Sequence, residues 1–187
     1  LEVRLRGPVD GPLGAIEGQK RALEVAETHG LADQVARAAP NLGTSLHHHG
    51  HWGPALVAYE RALRTASALG EHSTALILRF NITNLNAAIG LFDRASDALD
   101  DLSIEIARAD LCQLEGPLLA LRGEIALGRG DATAATEWFE KARAVFATGQ
   151  TEREVLEAEL WLGEAELWRG ELDAVRARQA AIETAVA

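Results

Sequence analysis

Four histidines stand close together and form the densest group of side chains in this chain that could bind a metal ion. His47, His48, His49 and His51 carry imidazoles, which are common ligands of zinc, copper and nickel. His47 and His51 are four residues apart, a spacing that places two ligands on one helix face. Gly50 lies between them and favours a helix end there, and no cysteine or carboxylate follows at a typical ligand spacing. We therefore interpret the cluster as a solvent-facing helix end, where a cation suits the helix dipole, with a metal site as the alternative.

Other sequence patterns that carry chemistry are missing. The sequence contains no glycine-rich phosphate loop, no nucleophile elbow and no pair of cysteines at metal-binding spacing. Cys112 stands near a predicted helix start, where the pKa of a thiol can be lowered, but we interpret it as a half-buried structural thiol. Asp and Glu residues scatter over the helix faces as solvating charge. The sequence therefore predicts a protein that is not an enzyme and needs no cofactor.

The composition limits the class of partner. The 187 residues have a formal net charge of −10 and no tract of Lys or Arg, so direct binding to nucleic acid is not expected. No apolar stretch reaches the roughly 18–20 residues that span a bilayer. A single cysteine fits a reducing compartment, and we expect a cytoplasmic protein. The chain begins at Leu1 and lacks methionine, which we interpret as a fragment of a longer protein, and its preference for Arg over Lys is typical of a GC-rich bacterial genome.

Glycines recur at every fortieth position along most of the chain. The members of this series are Gly50, Gly90, Gly130 and Gly170. A weaker series runs halfway between them, through Gly30, Gly70, Asp110 and Gln150. Alanines repeat at the same interval, as in Ala15, Ala55, Ala95 and Ala135 and in the parallel column Ala22, Ala62, Leu102 and Ala142. A period of roughly 20–50 residues is the signature of a stacked-repeat protein, and small residues at fixed points favour close helix packing.

Each block of this period holds two segments whose apolar residues have helical spacing. The clearest is 151–168, in which Val155, Ala158, Leu162 and Ala165 lie on one stripe. Several residues that favour helix starts precede or open such segments. They are Thr151 with Glu154 in a capping box, the caps Asp93 and Asp131, and the first-turn proline Pro54.

The spacing predicts nine helices and no strand. A leading helix spans 13–29, and four pairs follow: 31–49 with 53–69, 72–89 with 92–108, 111–129 with 132–148, and 151–169 with 172–186. Pro40 and Pro117 fall inside or near the start of two first helices, where the missing N–H kinks or delays a helix. The predicted architecture is all-α: a right-handed α-solenoid of antiparallel helix pairs, with residues 1–187 forming a single array of about four and a half units.

A short motif recurs after the glycines of the main series. The chain reads Gly50-His-Trp52-Gly-Pro-Ala55 and Gly90-Leu-Phe92-Asp93-Arg-Ala95, whereas the block after Gly130 lacks the bulky residue. An aromatic residue and an alanine follow downstream, as Tyr59 with Ala62 and Phe139 with Ala142. Over residues 11–187 this pattern resembles the tetratricopeptide repeat (TPR), in units longer than the usual length of roughly 34 residues. The opening aromatic of the usual motif is replaced by Ala39, Arg79, Leu119 and Glu159.

The resemblance implies a non-catalytic adaptor. Such arrays bind protein or peptide segments in the concave groove that their first helices line. Arrays with long units form sensor or scaffold parts of large bacterial regulators and signalling ATPases, and the resemblance implies that role for this chain. A stacked array independently favours it, because it leaves an extended surface and offers no closed pocket for chemistry.

We expect one stripe of each first helix to face the groove and contact the partner. From the N-terminal to the C-terminal end the predicted residues are Arg37, Asn41, Thr44, His48, Asn81, Asn84, Glu124, Glu157, Trp161, Glu164 and Trp168. The stripe begins polar and mildly basic and ends acidic and aromatic, so its C-terminal end suits a basic or apolar segment. Two alternatives stay open: the tryptophans pack against the last helix or a continuation of the chain, and the asparagines form a hydrated face.

Self-association is the alternative function class. Ala181, Ile182 and Val186 are apolar residues of the last predicted helix, which no polar capping helix follows. Exposed terminal repeats tend to stack on another surface. A homodimer through the terminal repeats is therefore the alternative to a monomeric adaptor, and a histidine-dependent metal site or enzyme is the third hypothesis.

Overall fold

The computed structural model describes residues 12–149 and 152–186, in which every regular element is helical and no strand occurs. A 3₁₀ turn at Cys112–Leu114 precedes the sixth α-helix. None of the helices in these ranges combines the length and apolar content that crossing a membrane requires. The α-helices are α1 Pro12–Thr28, α2 Ala32–His48, α3 Trp52–Ala68, α4 His72–Ala88, α5 Phe92–Arg108, α6 Glu115–Gly128, α7 Ala132–Thr148, α8 Glu152–Trp168 and α9 Leu172–Val186. The predicted all-α fold of paired helices is confirmed.

A residue with a positive φ angle ends the helices at a fixed spacing. In the described residues these are Asp110 and the glycines Gly30, Gly50, Gly70, Gly90, Gly130 and Gly170. At the end of α6, the Gly130 N–H donates to the Leu127 carbonyl at 2.8 Å and the Asp131 N–H donates to the Ala126 carbonyl at 2.9 Å. This Schellman pattern satisfies carbonyl groups that a helix end leaves without partners. The glycine period of the sequence is thus the period of helix termination, although Gln150 lies outside the described residues.

One of the predicted N-terminal caps is confirmed. Asp131 precedes α7, and its Oδ1 accepts a hydrogen bond from the Ala134 N–H at 2.9 Å. This bond satisfies one of the N–H groups that the first helical turn leaves free. Thr151, the first residue of the predicted capping box, lies outside the described residues, so that box stays a prediction.

The cap predicted at Asp93 is wrong. The helix α5 begins one residue earlier, at Phe92, and Leu91 occupies the N-cap position without a side-chain hydrogen bond. Asp93 lies inside the first turn, where its carboxylate accepts a hydrogen bond from Arg129 at 2.6 Å. A residue inside the helix has helical backbone angles, whereas an N-cap residue needs non-helical ones.

The two internal prolines have different effects. Pro40 lies within α2, which runs without interruption to His48. Pro117 delays α6: the 3₁₀ turn occupies the positions at which the repeat spacing places a helix start, and α6 begins only at Glu115. Proline has no N–H to donate to the Gln113 carbonyl, whereas in a helix that begins at Glu115 it lies in the first turn, where no such bond is needed. The predicted delay is confirmed at Pro117, whereas α2 is neither delayed nor broken.

The chain divides into two compact units, one up to Leu85 and one from Asn86 onward, so that the division falls inside α4. In the first unit, one apolar cluster contains Leu23, Leu42, Tyr59, Ala62 and Leu78 among others. In the second unit, one cluster joins Leu127, Phe139, Leu162 and Ala165, and another joins Ala120, Ala142, Phe146 and Ala158. Each unit therefore buries an apolar core of its own, and the single array over residues 1–187 stays a prediction.

The repeated alanines lie at close helix contacts. Ala55, Ala95 and Ala135 are fully buried, one in each of α3, α5 and α7. Ala15, the member of the same column in α1, is exposed. A residue with a single methyl group lets two helices approach closely, which explains why the position is kept small wherever a neighbouring helix covers it.

Glycine–aromatic contacts set how α2 packs on α3 and how α6 packs on α7. A β-carbon at Gly43 would lie 2.6 Å from the Tyr59 ring, and one at Gly123 would lie 2.3 Å from the Phe139 ring. Both rings are almost completely buried. Because a close-packed core leaves such rings little room to move, the absence of a side chain at the two glycines lets each helix pair come together.

We expect Gly123→Ala to lower the free energy of unfolding by about 1–3 kcal/mol, because the added methyl group overlaps the Phe139 ring. Gly18→Ala is the matched control, since Gly18 lies within α1 and a β-carbon there would meet nothing within 4 Å. The control should stabilise by roughly 0.5–1 kcal/mol, as expected for replacing a helical glycine. Urea denaturation followed by circular dichroism measures both effects. Equal responses of the two variants would contradict the contact.

Candidate peptide-binding surface

One side of α8 carries four of the predicted partner-binding residues. Glu157, Trp161, Glu164 and Trp168 are spaced four, three and four residues apart, so they follow one side of the helix. Glu164 is exposed, and Trp168 at the end of α8 has 65% of its surface accessible. Glu157 and Trp161 are half-buried. Together with Glu124 of α6, these four residues are called the acidic–aromatic face below.

Glu124 and Glu164 act on each other across this face. The Glu124 carboxyl is partly buried, and this burial, with the negative charge of Glu164 as the second cause, raises its pKa from 4.5 to about 7. None of the ion pairs among the described residues involves either of the two carboxylates. Two acidic groups therefore share the face without a cation, and a bound proton or an external cation would stabilise them.

Only part of Trp161 is accessible to a partner. Its indole stacks on the ring of Phe139 in α7, with ring centroids 5.8 Å apart and an interplanar angle of 23°. It also packs against both apolar clusters of the second unit. The structure places this packing on α7, whereas the alternative stated from the sequence placed it on the last helix or beyond. Of the two tryptophans on this face, Trp168 is the one that offers a large exposed area.

The other predicted residues lie in the first unit. Along α2, the predicted side chains Arg37, Asn41, Thr44 and His48 are all exposed. The Thr44 hydroxyl accepts a hydrogen bond from the Tyr59 hydroxyl at 3.3 Å, which connects this surface to the aromatic contact beneath it. Asn81 and Asn84 of α4 are half-buried. The predicted residues thus fall into two sets, one in each unit, and their contact with a partner stays a prediction.

The histidine cluster lies at the end of α2. His47 packs edge-on against Tyr59, with ring centroids 6.4 Å apart, and its pKa is lowered by burial and then by the neighbouring His48. The Nδ1 of His49 donates to the Ser45 carbonyl at 2.7 Å. Within the two described ranges, no group of three or more His, Cys, Asp or Glu side chains is arranged to hold a metal ion. These contacts give His47 and His49 structural roles at the helix end.

The interpretation of Cys112 as a half-buried thiol is wrong, because the residue lies exposed in the 3₁₀ turn before α6. Its Sγ donates a hydrogen bond to Asp110 Oδ1 at 3.2 Å. This hydrogen bond, followed by the negative charge of Asp110, raises the pKa of the thiol. The environment therefore favours the neutral thiol over the reactive thiolate.

An ion-pair network connects α9 to α8, where the sequence analysis expected only solvating charge. Arg178 donates to the Glu166 carboxylate at 3.1 and 2.6 Å and also pairs with Glu159, and Arg143 of α7 donates to Glu159 at 2.9 Å. Burial alone would raise the pKa of Glu159, but the hydrogen bond from Arg143 and the charge of Arg178 outweigh it and lower that pKa. The signal in the sequence was the seven-residue spacing of Glu159 and Glu166, which places them on the side of α8 that packs against its neighbours.

Comparison with solved structures gives the class of fold. A Rap protein complexed with competence and sporulation factor aligns with a TM-score of 0.80 at 15% identity, over 94% of this chain and 49% of that chain. BtubC from P. vanneervenii aligns with a TM-score of 0.63 at 17% identity, over 82% of this chain and 63% of that one. TPR-like repeats of a Podosopora anserina protein described as a kinesin light chain align with a TM-score of 0.56 at 14% identity, over 90% and 91% of the two chains. The chain therefore has a TPR-like repeat fold.

These likenesses concern the fold. No family model and no curated protein matches the sequence. The chain spans about half of the length of the Rap chain and less than two thirds of BtubC. The suspected resemblance to the TPR is thus confirmed for the architecture.

The raised pKa of Glu124 predicts a stability that depends on pH. Because the folded-state pKa of about 7 lies above the ordinary value of 4.5, the folded protein binds this proton more tightly than the unfolded chain. The resulting stabilisation is complete below pH 4.5 and is lost as the pH rises through about 7. We expect Glu124→Gln to raise the free energy of unfolding at pH 8 by on the order of 1 kcal/mol and to have little effect at pH 5.

Urea denaturation at the two pH values measures this difference. Glu60→Gln, which removes the charge of an exposed glutamate of α3, is the control. If Glu124→Gln has the same effect at pH 5 as at pH 8, the carboxyl does not titrate as described.

Proposed function

We propose that this chain is a non-catalytic interaction module of a larger cytoplasmic bacterial protein with a regulatory or signalling role. It holds a protein or peptide segment against the exposed sides of first helices, and within the second unit these are α6 and α8. The acidic–aromatic face carries the proposal, because it combines two carboxylates that lack a cation with a largely exposed indole.

This face suits a partner segment that carries lysine or arginine. A cation placed between Glu124 and Glu164 offsets the repulsion of the two carboxylates and the cost of burying one of them. Trp168 provides a rigid apolar area on which the aliphatic part of such a side chain can pack and towards which its charge is attracted. Recognition therefore combines an ion pair with burial of an aromatic anchor.

The first unit offers a polar surface of its own to a protein or peptide segment. Arg37 and Asn41 of α2 and Asn81 and Asn84 of α4 offer donors and acceptors at their side-chain tips. Amide side chains of this kind pair with the N–H and C=O groups of an extended backbone. A neighbour in fold supports a binding role, since the Rap protein was solved in complex with competence and sporulation factor.

A peptide array tests this function directly. We expect the protein to capture peptides enriched in lysine and arginine, and Trp168→Ala and Glu164→Gln each to weaken the best peptide by about tenfold or more. Affinity should increase from pH 6 to pH 8, because a bound cation favours the ionised form of Glu124. Fluorescence anisotropy of labelled peptides measures each affinity.

Matched substitutions elsewhere on the surface are the controls. Trp52→Ala removes an exposed tryptophan of α3, and Glu60→Gln removes one negative charge from the same helix. Enrichment of acidic peptides, or equal losses in the control variants, would overturn the proposal. A molecular mass that rises with concentration in light scattering would instead favour self-association through Ala181 and Ile182; the side chain of Val186 lies outside those described.

A further inference from the structure

Two leucines of α8 are exposed at positions that are buried one repeat earlier. Leu160 and Leu167 have 61% and 55% of their surface accessible. Ala120 and Leu127, which occupy the equivalent positions of the preceding repeat on α6, have 3% and 8% accessible. The seven-residue spacing places each pair on one side of its helix. The two leucines therefore form the row on α8 that corresponds to a covered row on α6.

The row on α6 lies in apolar clusters to which both α7 and α8 contribute. Ala158 shares a cluster with Ala120, and Leu162 and Ala165 share a cluster with Leu127. Ala158, Leu162 and Ala165 therefore form a stripe on α8 in which a leucine stands between two small residues. This stripe packs in the same clusters as the row on α6. By analogy, the row of Leu160 and Leu167 on α8 suits another helix that carries a stripe of this kind.

The helix α9 carries a polar residue at the position that is buried and aromatic or apolar in α3, α5 and α7. Phe139 of α7 stacks on Trp161 of α8, and the corresponding residue of α9 is Gln179. Gln179 is exposed and donates a hydrogen bond to Glu183 at 2.9 Å. The apolar row on α8 therefore has no aromatic neighbour at this position of α9.

Charge decides what kind of helix fits. Glu164 is exposed beside the leucine row, Glu157 lies on the same side of α8, and the whole chain has a net charge of −10. A second copy docked through the same row would bring the two sets of glutamates together, and like charges in contact oppose association. A partner with lysine or arginine along the edges of its apolar stripe gains from the same charges.

We propose that the row of Leu160 and Leu167 is a docking site for a basic amphipathic helix of a partner protein. The stripe of the partner covers the leucines, and its flanking cations meet the glutamates of α8. Helix docking into an apolar surface by residues spaced three and four apart is an established mode of recognition. This site shares Glu157 and Glu164 with the acidic–aromatic face of the proposed function, but a variant that replaces Leu160 and Leu167 tests it alone, because that variant keeps both glutamates and Trp168.

The probe is a fluorescein-labelled peptide with the sequence of α8 in which every glutamate is replaced by lysine. It keeps Ala158, Leu162 and Ala165, the stripe that packs in the same clusters as the row on α6. We expect saturable binding in fluorescence anisotropy, and Leu160→Gln/Leu167→Gln should weaken it by about tenfold or more because two apolar side chains lose their buried contact. Both positions are exposed, so circular dichroism should show an unchanged melting curve.

Two controls separate this site from general attraction of a basic peptide to an acidic protein. A peptide of scrambled order has the same charge and should bind at least about tenfold more weakly, because it lacks the stripe. Val57→Gln/Ile104→Gln alters two similarly exposed apolar residues on α3 and α5 and should preserve affinity. No saturable binding, equal binding of the scrambled peptide, or an equal loss in the control variant would overturn the proposal. A dimer in light scattering that the leucine variant abolishes would also overturn it, since a second copy would then occupy the row.

Discussion

The left-handed residue that ends α1 to α6 and α8 in the described residues is the constraint on which the rest of this structure depends. It recurs at every twentieth position in the described part of the chain, from Gly30 to Gly130 and again at Gly170. Each helix consequently begins at the same place in its block, apart from the delayed α6, and residues one repeat apart occupy the same side of equivalent helices. Without that regularity, the stripe of α8 would not match the row on α6.

The two proposed binding surfaces lie where side chains of the repeat have no matching neighbour within the described part of the chain. Inside the second unit, Gly123 and Phe139 close one helix pair, and α8 adds Leu162 and Ala165 to the cluster that contains Leu127 of α6. Glu124 and Glu164 occupy equivalent positions in successive repeats, and the charge of Glu164 acts on Glu124 without a paired cation. At α9 the position of Phe139 is occupied by Gln179, Arg178 pairs with Glu166 of α8, and Leu160 of α8 is exposed. Both proposed binding surfaces follow from these departures.

The sequence predicts what depends on the local backbone and misses what depends on neighbours in space. The glycine period gives the helix ends because a left-handed terminus requires little more than a residue that tolerates it. Pro117 delays its helix for an equally local reason. The sequence does not predict the burial of Trp161 against Phe139, the exposure of Cys112 or the pairing of Arg178 with two glutamates. These features depend on contacts between helices, which the spacing within a single segment does not determine.

Amide hydrogen exchange measured by NMR tests most directly whether a left-handed turn ends the helices at this regular interval. In the structure the N–H groups of Leu31, His51, Leu91 and Asp131 donate to carbonyl groups five residues earlier. We predict that these amides exchange at least about tenfold more slowly than unprotected ones, while Gly53, in the first turn of α3, exchanges quickly. Fast exchange at the four turn amides, or protection that recurs at a different spacing, would contradict the two-helix repeat.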